Sequence, residues 1–574
     1  MRGRTQGRRM LLAVMLGATL LAAVAGVAWG GEAVVLGSAS AANLKGLLDK
    51  VAKLAEKFAP GAGAQVQGAS AMLTQDPKFA GVDWTKPASA LLFGGKAFGK
   101  AEPVPVILVT LADAAAFRQA AEKEGGQVGI EIRNNVAIVS PEKAALPAVT
   151  PERFELYSKF PKVAGTADVY LTVYITQLLT EFEDELEGGL KELEQNMGQM
   201  QMPGMPNVGK VVKCVGPLVK LAGQQVRRVS LTVELKDDSV ELWARLYAAD
   251  DTALGTYLSA QPAETTDLVK YLPAEAVMSM AAKFDIAKAM PLMETILKSL
   301  AGPLELSAED QQKFRDLIFG STQTGEFAVA LAGGAANPGV QTVQVLRIGD
   351  AAKYRAAAQA GVKWFMESGF GSLMQAAGMK MNMDHKPAVR EHQGVAVDRL
   401  TLTFTPADPN APPNPMMGQM PPQVTEIAAV GNLGVGVGSN PTGELLNGVL
   451  DRIKGGGTPG LDTSASWKAA RAGAPKGANA IIHVSFNGLL AKIVEEAAKQ
   501  QPAIAMMAGA IIKADPTEEP ITSYVTFGAN RMDLMTRIPH QPILALVTRV
   551  RAMVEQGAPG ARKGGPKPKE QDDF

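Results

Sequence analysis

Asp113-Ala-Ala-Ala-Phe117-Arg118-Gln-Ala120 and Asp350-Ala-Ala-Lys-Tyr354-Arg355-Ala-Ala357 are two versions of one phrase, 237 residues apart. Each follows a β-like apolar run, residues 106–111 in one case and 343–348 in the other. The aspartate suits an N-cap that accepts hydrogen bonds from first-turn amides. The aromatic four positions on then falls on the face of the helix turned to the core. A strand that runs into a capped amphipathic helix, met twice, predicts a repeated α+β unit.

Working outward, further matches come in the same order. The run 132–140, with Asn134-Asn135 as a hairpin turn, corresponds to 427–439, with its turn near Gly431-Asn432. Thr150-Pro-Glu-Arg-Phe154 corresponds to Thr463-Ser-Ala-Ser-Trp467, each opening a short helix with an aromatic at the fifth position. Residues 167–179 match 478–490, residues 229–247 match 521–538, and residues 33–57 resemble 276–300. The expected fold is therefore α+β, two tandem related units with antiparallel sheets flanked by amphipathic helices. The expected units are 31–270 and 271–556. The offset between matches grows from 237 to 299, so an insertion of about 62 residues lies between residues 357 and 426. It predicts an added hairpin over 388–404 within a Pro/Met-rich stretch at about 370–423, where residues 406–422 hold seven prolines. The Gly/Pro/Lys-rich residues 557–574 read as a disordered tail.

The N-terminus points to export. Arg2, Arg4, Arg8 and Arg9 precede an apolar or small-residue run over 10–27, and Ala28-Trp29-Gly30 supplies a small-x-small cleavage pattern. That order is a secretory signal peptide at 1–30, a segment that engages the membrane during export and stays as an anchor if uncleaved. The Arg8-Arg9 pair leaves both the general and the twin-arginine routes open. The chain carries 57 basic and 57 acidic side chains, so removing those four arginines leaves a slightly acidic protein. Such a balance excludes a general nucleic-acid binder. The single cysteine, Cys214, excludes an intrachain disulfide, and its apolar neighbours predict a small buried hydrophobe. The exported chain must rely on packing.

The signal peptide, the aspartate-aromatic-arginine helix start after a strand, and the Asn-turn hairpin together resemble large exported bacterial proteins classed as a domain of unknown function. The resemblance covers about residues 81–167 well and the remainder loosely. It implies an envelope location and no assigned activity.

Chemistry-bearing motifs are sparse. The glycines of 434–443 approach a phosphate loop, but Glu444 stands where lysine must meet the phosphates. Ser140-Pro-Glu-Lys143 has a Ser-x-x-Lys form without the partner motifs such chemistry needs, so Ser140 reads as a helix start. Of four histidines, His483 sits in a strand, while His385 and His392 flank Lys386-Pro387-Ala-Val-Arg390, which reads as an exposed hairpin. The acids of 181–194 fall opposite an apolar stripe and read as a solvated helix face.

Methionine is the exception. There are 25, several clustered: Met197, Met200, Met202 and Met205, then Met379, Met381 and Met383 beside His385, then Met416, Met417 and Met420. Thioethers at these spacings suit Cu(I) or Ag(I), so Met197, Met200, Met202, Met205, Met379, Met381, Met383 and His385 are the candidate metal ligands. No other cofactor is expected. The expected function is a non-catalytic binding or structural-interaction module of the periplasm or cell envelope, with a protein or lipid partner. The alternatives are soft-metal binding and an enzyme whose site is assembled from residues distant in sequence.

Overall fold

The computed structural model describes residues 33–123, 128–199, 209–320, 323–333, 340–367, 379–406, 422–438, 443–500, 512 and 518–557. The expected signal peptide, the tail past residue 557, and Met200, Met202, Met205, Met416, Met417 and Met420 lie outside them. The architecture is mixed α+β, built on one antiparallel sheet of 18 strands. In chain order these are β1 Val35–Ala41, β2 Ala88–Phe93, β3 Val104–Thr110, β4 Gly129–Arg133, β5 Val136–Ser140 and β6 Val169–Val173. There follow β7 Val226–Leu235, β8 Ser239–Ala248, β9 Met278–Lys283, β10 Gln323–Gly333, β11 Val340–Ile348 and β12 Met379–His392. The last are β13 Val395–Pro406, β14 Gln423–Val430, β15 Leu433–Gly438, β16 Ala478–Val484, β17 Ile521–Gly528 and β18 Arg531–Pro539.

The pairings give the lateral order β4-β5-β3-β2-β1-β6-β7-β8 and then, across a β8–β18 junction, β18-β17-β16-β9-β10-β11-β15-β14-β13-β12. β4 and β12 are its two edges. At the junction Trp243 lies opposite Met535, Arg245 opposite Asp533 and Glu241 opposite Arg537.

Local expectations are met where local chemistry decides them. Asp113 accepts from the amides of Ala115 and Ala116 at 2.9 and 3.0 Å, and Asp350 accepts from Lys353 at 2.9 Å. Phe117 and Tyr354 are both buried. Asn134 and Asn135 take positive φ, 47° and 59°, the conformation a two-residue hairpin loop demands. Thr150 and Ser464 cap the helices Pro151–Tyr157 and Ala465–Ala472, which bury Phe154 and Trp467.

Strand alternation gives the sheet two buried faces. On one face Leu91, Phe93, Val106, Leu108 and Ile138 pack under Ala145, Val149, Phe154 and Tyr157. Farther along that face Val343, Val345, Val435 and Val437 pack under Leu446, Val449, Leu450 and Trp467. The opposite face receives Phe117 over Ala137, and Tyr354 over Ile427 and Leu400. Gly434 permits this last contact, since a Cβ there would lie 2.7 Å from the Tyr354 ring. Each fully buried Leu or Phe contributes on the order of 2 kcal/mol. No helix among the described residues is long and apolar enough to cross a membrane.

Three expectations need correction. His385 and His392 do not flank a turn: both lie on β12, whose hairpin with β13 closes at Gln393-Gly394, and a bulge falls between Lys386 and Arg390. Proline at 387 cannot donate to a ladder, so the strand bulges instead of turning. Glu181 is buried rather than solvated, because the helix Ile175–Glu181 ends there and its carboxylate accepts from the Lys96 amide at 2.9 Å. Cys214 is only partly buried, on the helix Gly209–Gln225 beside Leu297, Leu304 and Leu306, where burial pushes its thiol pKa up.

Candidate functional site

Two helices and a hairpin turn build a concave polar site. Asn43 caps the helix Leu44–Phe58, accepting from Gly46 at 2.7 Å, and Lys50, Lys53 and Lys57 recur at helical spacing along one of its faces. Gly61, at φ 85°, turns the chain into the helix Ala62–Gln75. The Glu56 carboxylate closes that turn by accepting from the Gly61 and Gly63 amides, the latter at 3.0 Å. Gly63 lets the helices cross closely, since a Cβ there would lie 2.8 Å from the Ala52 carbonyl.

The crossing leaves an open cleft of about 590 Å³ with small residues on its floor and Lys53, Lys57, Gln67 and Asp237 around it. The cleft shares Lys53, Lys57 and Asp237 with a partly enclosed pocket of about 20 Å³, which Lys50, Lys236 and His540 complete. Those volumes fit a small organic ligand and one water-sized group.

Partner accounting separates the cations. Lys50 binds Asp168 at 2.8 Å, Lys236 binds Glu241 at 2.7 Å, and Lys57 donates to the Asp237 carbonyl. The Glu241 hydrogen bond holds the Lys236 ammonium above its usual pKa. Lys53 is exposed and has no ion pair or hydrogen bond among the described residues.

His540 opens the helix His540–Gly557, its amide donating to the Asp238 carbonyl at 2.8 Å. The ring stands edge-on to Phe58 with centroids 6.1 Å apart. It is 5% exposed, and neither nitrogen has a hydrogen-bond partner among the described residues. Burial lowers its pKa; the Asp237 backbone opposes this without an aligned hydrogen bond, and Lys57 adds to it. The imidazole is therefore neutral at pH 7, with one N–H to donate and one nitrogen to accept.

Of the expected metal ligands, Met200, Met202 and Met205 lie outside the described residues. Met379, Met381, Met383 and His385 occupy alternate positions of β12, so they share one face of an edge strand. On that face Met383 packs against the Tyr354–Leu400–Ile427 core. His385 Nε2 lies 3.5 Å from Asp398, whose carboxylate also grips Arg355. Met197 lies near the end of the helix Glu183–Gln199. Among the described residues no three His, Cys, Asp or Glu side chains gather as a metal centre. Ser140 is buried at a strand end, donating to the Pro105 carbonyl and accepting from Glu142, which makes it structural.

Lys50, Lys53, Lys57, Lys236 and His540 went unread as a site in the sequence. The only local signal was the lysine spacing, and a charged stripe is ordinarily a solvated helix face. No protein-family model matches the chain, and neither a curated protein nor a solved structure does.

Proposed function

We propose that this chain is an exported envelope protein of two related α+β units that acts by binding rather than catalysis, with the lysine-lined cleft as its ligand seat. One observation carries the binding reading: a buried imidazole without partners ends a cleft of ligand size whose rim holds an unpaired ammonium. Polar groups buried without partners cost stability, so they persist where something else satisfies them.

The duplication draws support from strand order. Counted outward from the junction, β8-β7-β6-β1-β2-β3-β5-β4 corresponds member by member, in chain order, to β18-β17-β16-β9-β10-β11-β15-β14. The junction is antiparallel and centred on Trp243 and Met535, as a local two-fold axis between equivalent strands requires. Arg245 opposite Asp533 is then mirrored by Arg537 opposite Glu241. The hairpin β12–β13 attaches beyond β14, outside the matched strands, as an insertion would. Export rests on the arginine-led apolar run at 1–30.

Thermal melting of the mature chain against phosphate esters, oligosaccharides, amino acids and fatty acids tests the binding reading. At least one class should raise the Tm of the parent and not of Gln67→Trp, which fills the cleft. If no compound separates the two proteins, the cleft is not a ligand seat. Mass spectrometry of the envelope fraction should find a chain starting near residue 31; an intact Met1 in the cytoplasm overturns export.

A second reading, capture of Cu(I) or Ag(I), draws on the alternation of Met379, Met381, Met383 and His385 along one face of β12. Cu(I) titration decides it: equal affinity after Leu replaces Met197, Met200, Met202, Met205, Met379, Met381 and Met383 removes the idea.

A further inference from the structure

Resting on the reading of the cleft as a ligand seat, we propose that its ligand carries a phosphate group able to hold one proton when bound, as a phosphate monoester with a second pKa of about 6 is. The body of the ligand lies along the open cleft and one phosphate oxygen enters the small pocket beneath Lys53.

Charge supports the class. Lys50, Lys53, Lys57 and Lys236 line the small pocket with Asp237; Asp168 and Glu241 already pair with Lys50 and Lys236, so Lys53 and Lys57 are the cations left for a guest. Glu56, in the open cleft, is already engaged by two backbone amides, so it closes a turn rather than repelling a guest at the pocket. Ammonium groups act as compact point charges and take oxyanions without the planar fork that arginine brings. Lys53 has its full donor capacity to give.

The imidazole narrows the class further. Held neutral by burial, the His540 ring can turn a bare nitrogen, an acceptor, to the pocket it lines. A sulfate or a carboxylate has no proton to give it near pH 7. A phosphate in its monoprotonated form donates its P–OH to that nitrogen through the one oxygen that enters. With a volume of about 20 Å³ the pocket admits one oxygen and no more of the group. The open cleft is where the esterified remainder fits, over the small residues Ala52 and Gly63.

Phosphate of this kind reaches an envelope protein as a soluble ester or as a lipid headgroup, and the experiment separates them. The mature full-length chain is melted and titrated calorimetrically with inorganic phosphate, glycerol phosphate, sulfate and chloride at matched ionic strength. Vesicles of phosphatidylcholine with and without phosphatidate are run in parallel. Phosphate and glycerol phosphate should raise Tm where chloride does not, and sulfate should bind at least tenfold more weakly. Lys53→Glu, an exposed and unpaired position, should weaken phosphate at least tenfold with an unchanged circular-dichroism spectrum. His540→Asn should erase the preference for phosphate over sulfate. Binding to phosphatidate vesicles, lost in Lys53→Glu, assigns the headgroup as the source; binding to glycerol phosphate alone assigns a soluble ester.

Equal response to phosphate, sulfate and chloride overturns the inference, and so does parental affinity in Lys53→Glu. If a neutral compound protects the parent and not Gln67→Trp while phosphate does nothing, the cleft remains a ligand seat and the phosphate class falls.

Discussion

Glu426 is 1% exposed on β14, and its carboxylate meets Arg390 at 2.6 Å and Arg399 at 2.9 Å. Burial opposes its charge, but the hydrogen bonds from Arg390 and Arg399 outweigh it and hold the carboxyl below the usual carboxylate range. A depressed carboxylate contributes stability above its unfolded pKa of about 4.3, and that contribution is lost as pH falls through the folded value. Glu426→Gln should therefore cost about 3 kcal/mol in denaturant melts at pH 7 and progressively less as pH falls below about 4; a loss that does not change with pH refutes the ion-pair account. His483 on β16 shows the opposite balance. It is wholly buried against Trp467 and Ser279, its Nε2 unpartnered, and desolvation lowers its pKa to about 4. The unfolded chain takes up a proton near pH 6.5 that the folded chain refuses until about pH 4, so stability falls across that window on acidification. His483→Phe should cost no more than about 1 kcal/mol at pH 8, since no strong hydrogen bond is lost, and should flatten the fall between pH 6.5 and 4. An unchanged pH slope in that variant sinks the assignment.

Elements extend the same logic to the β12–β13 hairpin. β12 is a 14-residue edge strand, long enough to recruit a strand from another molecule, yet its ladder breaks between Lys386 and Arg390. Pro387 removes a donor there, and Ala388 sits at φ 49° with its amide given to Asp398 at 2.9 Å. A non-glycine residue in that conformation is strained by about 1 kcal/mol. Ala388→Gly should raise stability by about 0.5–1 kcal/mol in chemical denaturation, less whatever the freer unfolded chain takes back; a destabilised variant means the bulge is not strained. This hairpin also marks how far sequence reaches. Its presence followed from a break in the spacing of matched segments, and the capped helices at Asp113 and Asp350 followed from local hydrogen bonding. The bulge was misread as a turn because Lys386-Pro387 looks alike in both until the register with β13 is known. The cleft was illegible for a related reason: Lys53, Lys236 and His540 meet only once distant segments are packed together, and no spacing in the chain encodes that.

Across the whole molecule the β8–β18 junction joins the two arms of the sheet, and its chemistry is nearly self-complementary. Under the proposed two-fold axis Arg245 corresponds to Arg537 and Glu241 to Asp533, with Trp243 and Met535 on the axis. A first unit cut away from its partner, residues 31–270, would expose the full edge of β8 with its donors and acceptors unpaired. A second copy of that fragment can supply a β8 in the antiparallel register that β18 occupies. Trp243 would then face its own mate, and each Arg245 would face a Glu241, so opposite charges would stand across both positions as they do in the intact chain. The arrangement closes on itself, so assembly stops at a dimer rather than growing into a fibre. The fragment should sediment as a dimer with a native-like circular-dichroism spectrum, while the full chain, whose β8 is already paired, should keep its oligomeric state under the same substitutions. Arg245→Glu in the fragment places like charges opposite one another and should return it to monomer; adding Glu241→Arg restores opposite charges and should restore the dimer. A folded fragment that stays monomeric, or a dimer indifferent to both substitutions, would mean that the junction is not a two-fold pairing of equivalent strands and that the two units do not descend from one.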